Sequence, residues 1–173
     1  MSIGNGVIVG YGNPSCGDDA LGWVVVESLS HHPAFQDITL LTTQQLTPEL
    51  AVDLQAADWV YFVDVSVSNT TGNTSTGVRQ YPVKVAAHCD GVSLLGHHLA
   101  PEQLLALTRQ CFGLTPSEAY VLTCDGQHFE MGAPMSSELE VLVPEFVAHL
   151  CREMARRESA VDKISQAAKA VGG

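Results

Sequence analysis

Ten residues, Gly10-Tyr11-Gly12-Asn13-Pro14-Ser15-Cys16-Gly17-Asp18-Asp19, constrain this chain most, because they join two segments of different periodicity. Before them, Val7-Ile8-Val9 has the pattern of a short buried strand. After them, apolar residues recur from Leu21 to Leu29 at helical spacing. A strand that feeds a helix through a glycine-rich turn is the repeating unit of an α/β fold. Glycines in such a turn would ordinarily let backbone N–H groups cradle a phosphate. Here the turn ends in two adjacent carboxylates, which repel an anion at close range. The turn suits a cation better.

The alternation continues along the chain. Ile38-Thr39-Leu40-Leu41, Trp59-Val60-Tyr61-Phe62-Val63 and Ala119-Tyr120-Val121-Leu122-Thr123 read as strands, the second of them apolar throughout and ending at Asp64. Uninterrupted apolar strands are expected when helices cover both faces of a sheet. Val78 to Val85 reads as an edge strand, since Pro82 cannot donate to a ladder. Thr47-Pro48 supplies an N-cap and a first-turn proline for a helix to about Ala56. Pro101 opens another helix that Gly113 stops. The last helix is predicted from about Ser137 to Arg157, with a bend at Pro144. The fold class that follows is α/β: a single domain with a twisted, mostly parallel sheet and helices on both faces. It is predicted over residues 1–157, with residues 158–173 as a C-terminal tail. The polar stretch Asn69 to Gly77 reads as a hairpin tip.

Composition narrows the function classes. A formal net charge of −11 argues against nucleic acid, whose phosphates need lysine and arginine partners. It is compatible with a metal ion or a basic peptide. Five cysteines form no CxxC pair, which fits a reducing cytoplasm better than a disulfide framework or a zinc site. No stretch approaches the ~20 apolar residues that span a bilayer, and the N-terminus carries no basic leader pattern. The expectation is a cytoplasmic protein with no membrane partner.

In an open α/β sheet, ligands bind beyond the carboxyl ends of the strands. Asp18-Asp19 follow the first strand and Asp64 the third, and His97-His98 stand just before the helix that Pro101 opens. Two oxygen donors and one nitrogen donor suit zinc, nickel or iron with open positions for water or substrate. Each residue also has a plainer reading: an N-cap for one of the aspartates at 18 and 19, a turn former for Asp64, and a surface side chain for either histidine. Their joint occurrence at strand ends makes the metal reading competitive. Other chemistries fare worse. Gly10-Tyr11-Gly12 begins like a dinucleotide fingerprint, but Ser15 replaces its third glycine. Cys16 has no assignable histidine to activate it, His88 and Cys89 point apart in an extended segment, and no GxSxG or HExxH motif is present.

These residues together resemble the hydrogenase maturation endopeptidases. The resemblance rests on Gly-Tyr-Gly-Asn-Pro-x-x-Gly-Asp-Asp at 10–19, Phe62-Val63-Asp64, and His97-His98 before a leucine-rich helix. It runs from about Val7 to Leu150. Gln45-Leu46-Thr47-Pro48-Glu49-Leu50 and His97-His98-Leu99-Ala100-Pro101 are similar to members serving bidirectional, NAD-linked hydrogenases.

The resemblance implies an endopeptidase that removes a short C-terminal extension from the precursor of the NiFe-hydrogenase large subunit. It implies that nickel, supplied by that substrate, is the recognition element. It further implies that Asp19, Asp64 and His97 are the metal-contacting and catalytic residues, His97 rather than His98 keeping the family's spacing to the helix. Some members carry glutamate where this chain has Asp19. Asp18 is a candidate general base. Asn69 to Gly77 and Asp125 to Gly132 are candidate precursor contacts; within the second, His128 and Glu130 are not expected to be ligands. The rivals are a nickel-dependent chaperone or sensor that binds the same precursor without cutting it, and a small-molecule hydrolase or nucleotide enzyme on a similar α/β scaffold.

Overall fold

The computed structural model describes residues 3–67, 77–87 and 99–171 of the 173-residue chain. Five strands form one sheet: β1 (Gly6–Tyr11), β2 (Thr39–Thr43), β3 (Trp59–Val67), β4 (Arg79–Pro82) and β5 (Glu118–Gly126). Their order is β2-β1-β3-β5-β4, with β4 antiparallel to β5 and the other pairs parallel. Each expected strand is present, and Pro82 ends β4 on the sheet edge, where a missing N–H breaks no ladder.

Side chains alternate across the sheet, as strand geometry requires. Ile8, Tyr61, Val63 and Leu122 face helix α1 (Leu21–Ser30) and helix α5 (Val143–Val171), which add Leu21, Val25, Leu29, Phe146, Leu150 and Met154 to one core layer. Val7, Val9, Val60 and Phe62 face the other way. There they pack with Leu54 of helix α2 (Ala51–Leu54) and with Leu104 and Leu105 of helix α3 (Pro101–Phe112). Burying side chains of this size stabilises by about 1.5–3 kcal/mol each before chain entropy is counted. Gly113 closes α3 with a left-handed φ of 74°, the stop expected from sequence.

Four local expectations change. Asp64 does not end its strand: β3 continues to Val67 because β5 keeps pairing with it through Val67↔Gly126. Thr47 precedes a 3-10 turn, Pro48–Leu50, without a side-chain capping bond. Pro144 does not bend one long helix. A short helix, α4 (Ser137–Glu140), ends first, and Pro144 then lies in the first turn of α5. That is the position where a missing N–H costs nothing. Beyond Arg157, α5 continues to Val171, so most of the expected tail is helical.

The connections decide where a ligand can sit. From β1 the chain passes through α1 to β2 on one side of β1, then through α2 to β3 on the other side. The sheet therefore changes winding direction between β1 and β3. Loops leaving the carboxyl ends of those two strands diverge there and open a crevice.

Candidate functional site

β1 pairs with β3 only as far as Gly10↔Val63. The next residues, Tyr11 and Asp64, stand where the two strands part. A cleft of about 510 Å³ opens there, lined by Tyr11, Gly12, Asn13, Cys16 and Asp19 from the glycine turn and by Asp64, Val65 and Val67 from β3. Gln44, Gln45 and Leu46 after β2, with Leu99 and Phe129, complete the wall.

The turn is built without a phosphate cradle. Gly12 N–H donates to the Thr43 carbonyl, Asn13 N–H to the Asp19 carboxylate at 2.6 Å, and Ser15 N–H to the Asn13 side-chain oxygen. Cys16 N–H donates to the Asn13 carbonyl, Gly17 N–H to Ala133, Asp18 N–H to His128, and Asp19 N–H to Cys16. Every N–H from Gly12 to Asp19 has a partner within the protein, and Pro14 has none to offer. An anion would find no free donor there, so the nucleotide reading loses its physical basis. Gly12 is required by the turn: its φ is 131°, and an added Cβ would lie 2.1 Å from the Asp19 carbonyl oxygen. The Trp23 indole N–H, donating to the carbonyls of Gly12 (2.9 Å) and Thr43 (3.1 Å), pins the turn to the end of β2.

The two adjacent aspartates have different environments. Asp19 is half-buried and faces the cleft, with one carboxylate oxygen held by Asn13 N–H. Asp18 is fully buried and accepts N–H bonds from Gln127 (2.8 Å), His128 (3.0 Å) and Ser136 (2.9 Å). Burial works against the Asp18 charge, but the N–H bonds from Gln127, Ser136 and His128 outweigh it and hold the carboxyl below its ordinary range. A carboxylate so enclosed has no access to the cleft. The expectation that Asp18 acts as a general base is therefore corrected: its acceptor sites are turned onto a neighbouring segment.

Asp64 is half-buried on β3. Burial pushes its pKa up to about 6, and the Asp19 charge adds to the rise; the Tyr11 hydroxyl and the Val65 N–H (2.7 Å) pull the other way. The Tyr11 phenol is raised in turn, first by burial and then by the Asp64 charge beside it. Two acids in one cleft, with no cationic side chain lining it among the described residues, favour a bound cation over an anion.

Of the three expected ligands, Asp19 and Asp64 come together in the cleft. His97 lies outside the described residues, as do His98, His88, Cys89 and the expected hairpin tip up to Thr76. Leu99, the first described residue after His97, lines the cleft. Among the described residues, no three His, Cys, Asp or Glu side chains gather closely enough to hold a metal ion. Sequence reasoning did not single out Tyr11 as a partner of Asp64. Its place as the last residue of β1, on the same face as Val7 and Val9, was the available signal. Cys16 also lines the cleft, its thiol 3.8 Å from the Met131 sulfur.

The site and fold define a doubly wound α/β protein with an acidic cleft at its topological switch point. No family model matches the sequence, and no curated protein matches it. Solved structures do. The hydrogenase maturating endopeptidase HybD from E. coli has 20% identity and a TM-score of 0.65, covering 90% of this chain and 93% of its own. The hydrogenase 2 maturation peptidase from a Thaumarchaeota archaeon has 22% identity and a TM-score of 0.64, over 87% of this chain and 98% of its own. The NiFe hydrogenase maturation protease HycI from Thermococcus kodakarensis has 21% identity and a TM-score of 0.64, over 88% and 92%. This chain has the fold of the hydrogenase maturation endopeptidases over nearly its whole length.

Proposed function

We propose that this protein is a hydrogenase maturation endopeptidase, which removes a C-terminal extension from the nickel-loaded precursor of a NiFe-hydrogenase large subunit. The observation that carries the reading is the pair Asp19 and Asp64 in one cleft, at the switch point of a fold shared with endopeptidases of that kind. His97, close in sequence to cleft-lining Leu99, is the third ligand of this reading.

In this reading the substrate's nickel is the recognition element. Without it, burial, with the Asp19 charge adding to it, keeps the Asp64 pKa raised to about 6. Nickel arriving with the precursor draws Asp64 to its ionised form and seats the adjacent peptide in the cleft. A divalent ion there can polarise the scissile carbonyl and acidify a water. Water adds to the carbonyl carbon, the C–N bond breaks, and the departing amine takes the proton. A precursor lacking nickel offers no cation to relieve the two carboxylates and is not held.

The cytoplasm is the proposed compartment; among the described residues, no helix is long and apolar enough to cross a membrane. The deciding experiment mixes the protein with nickel-loaded and nickel-free precursor and follows C-terminal mass loss. Loss from the loaded form alone is expected. Equal loss from both overturns nickel gating. Binding of the loaded form with its mass unchanged assigns the protein as a non-catalytic chaperone or sensor instead.

A further inference from the structure

We infer that Asp18 is a positioning residue of this cleft, whose buried carboxylate clamps the 127–136 segment to the glycine turn and so holds Phe129 and Asp19 as walls of one site. The inference rests on the endopeptidase reading for what the cleft does, and on the geometry below for how it is held.

A carboxylate buried without a cation is costly unless hydrogen bonds replace its water. Asp18 has three such bonds, from the N–H groups of Gln127, His128 and Ser136, all more than a hundred residues away in sequence. Three backbone bonds join the same two segments: Asp18 N–H to His128 (2.7 Å), Gly17 N–H to Ala133 (3.1 Å) and Gly132 N–H to Ser15 (2.6 Å). The approach is close enough that an added Cβ on Gly17 would lie 2.3 Å from the His128 carbonyl oxygen.

The clamped segment reaches the reaction site through Phe129. Its ring tip would lie 3.0 Å from a Cβ added to Gly126, where a Val65 methyl is also close, at 2.6 Å. Phe129 and Val65 both line the cleft, and Val65 follows Asp64 directly. On the other side of the clamp, Asp19 follows Asp18 directly. One carboxylate thus sets the spacing between the wall that carries Asp19 and the wall that carries Phe129.

The chemistry requires an acid rather than its amide. A carboxylate offers about four lone-pair sites; an asparagine offers one carbonyl oxygen, and its NH2 would face an N–H donor. Asp18→Asn therefore releases at least one of the three amides while leaving the volume unchanged.

The test uses the full chain and nickel-loaded precursor. Asp18→Asn is expected to raise KM for the precursor about tenfold or more, the scale of lost bonds to a charged group. Phe129→Ala is expected to add little on the Asp18→Asn background, because both changes remove the same wall. Hydrogen exchange should quicken at the amides of 127, 128 and 136 while Val60 to Val63 stay protected. If Asp18→Asn does not fold, Ser136→Pro carries the test. It deletes one donor at a residue whose φ, −66°, proline already fits, and is expected to raise KM by a smaller factor. Additive effects of Asp18→Asn and Phe129→Ala, a wild-type KM in the folded variant, or unchanged exchange at those amides overturns the assignment while leaving the endopeptidase intact. A wild-type chain that leaves the loaded precursor uncut overturns the endopeptidase reading and this role together.

Discussion

The Tyr11 hydroxyl faces the Asp64 carboxylate as a hydrogen-bond donor, linking the last residue of β1 to the first residue of β3 beyond the stretch paired with β1. The bond favours ionised Asp64, whereas burial and the Asp19 charge favour the neutral acid. The Asp64 pKa is therefore pushed up to about 6, and arrival of a cation would lower it again.

That balance predicts a sign for stability against pH. With a folded pKa of about 6 and an ordinary value of 3.8, Asp64 holds its proton more tightly folded than unfolded. Its contribution to stability is greatest below the ordinary value and falls as pH rises toward 6. Asp64→Asn should therefore melt at a higher temperature than wild type at pH 7.5, and the difference should vanish near pH 4. The gap corresponds to at most about 3 kcal/mol, from two pKa units. Thermal melts of the metal-free protein across this range provide the check. Asp18 acts in the opposite sense: its lowered pKa contributes stability above the ordinary carboxylate value, which is lost as pH falls through the folded one.

Tyr11→Phe removes the donor and keeps the ring. The Asp64 pKa should rise further, and the acid limb of the cleavage profile should move to higher pH. The fold should lose only about 1 kcal/mol, the net worth of one such bond. A carboxyl-carbon NMR titration of Asp64 separates the two effects. An unmoved Asp64 titration would show that the phenol does not control it.

Loss of a proposed ligand should cost chemistry more than folding. Asp19→Ala, Asp64→Ala and His97→Ala should each reduce cleavage of nickel-loaded precursor by about a hundredfold or more, the scale of removing one group that stabilises transition-state charge. Denaturant midpoints should show the variants folded. Cleavage retained by Asp64→Ala, His97→Ala together would remove the site assignment.

Gly12→Ala tests the turn. The new Cβ would need a positive φ and would meet the Asp19 carbonyl oxygen, so the variant should lose about 1–3 kcal/mol in urea unfolding. Because the clash lies on Asp19 itself, cleavage should fall beyond what the stability loss explains.

Much of the fold was legible because its signals are local. Apolar runs marked β1, β2, β3 and β5, Pro82 marked the sheet edge, and Gly113 marked the end of α3. Pro144 was read correctly as a disruption but was assigned the wrong form: a helix start and a kink use the same residue and differ only in whether the preceding turn survives. The extent of β3 beyond Asp64 depended on β5 as a pairing partner more than fifty residues later, which no window of sequence around Asp64 contains.

The chain's own residue order determined that two acids would end the turn of a strand–turn–helix unit and that another acid would follow the run Trp59 to Val63, because strand and helix periods are written in neighbouring side chains. Side-chain chemistry alone did not separate Asp18 from Asp19; the family resemblance pointed to Asp19, and only the tertiary structure gave the physical reason that Asp19 faces the cleft and Asp18 does not. Adjacent residues in a turn differ chiefly in where their side chains point. That direction was set by the amides of Gln127, His128 and Ser136, which folding brings from the far end of the chain to Asp18.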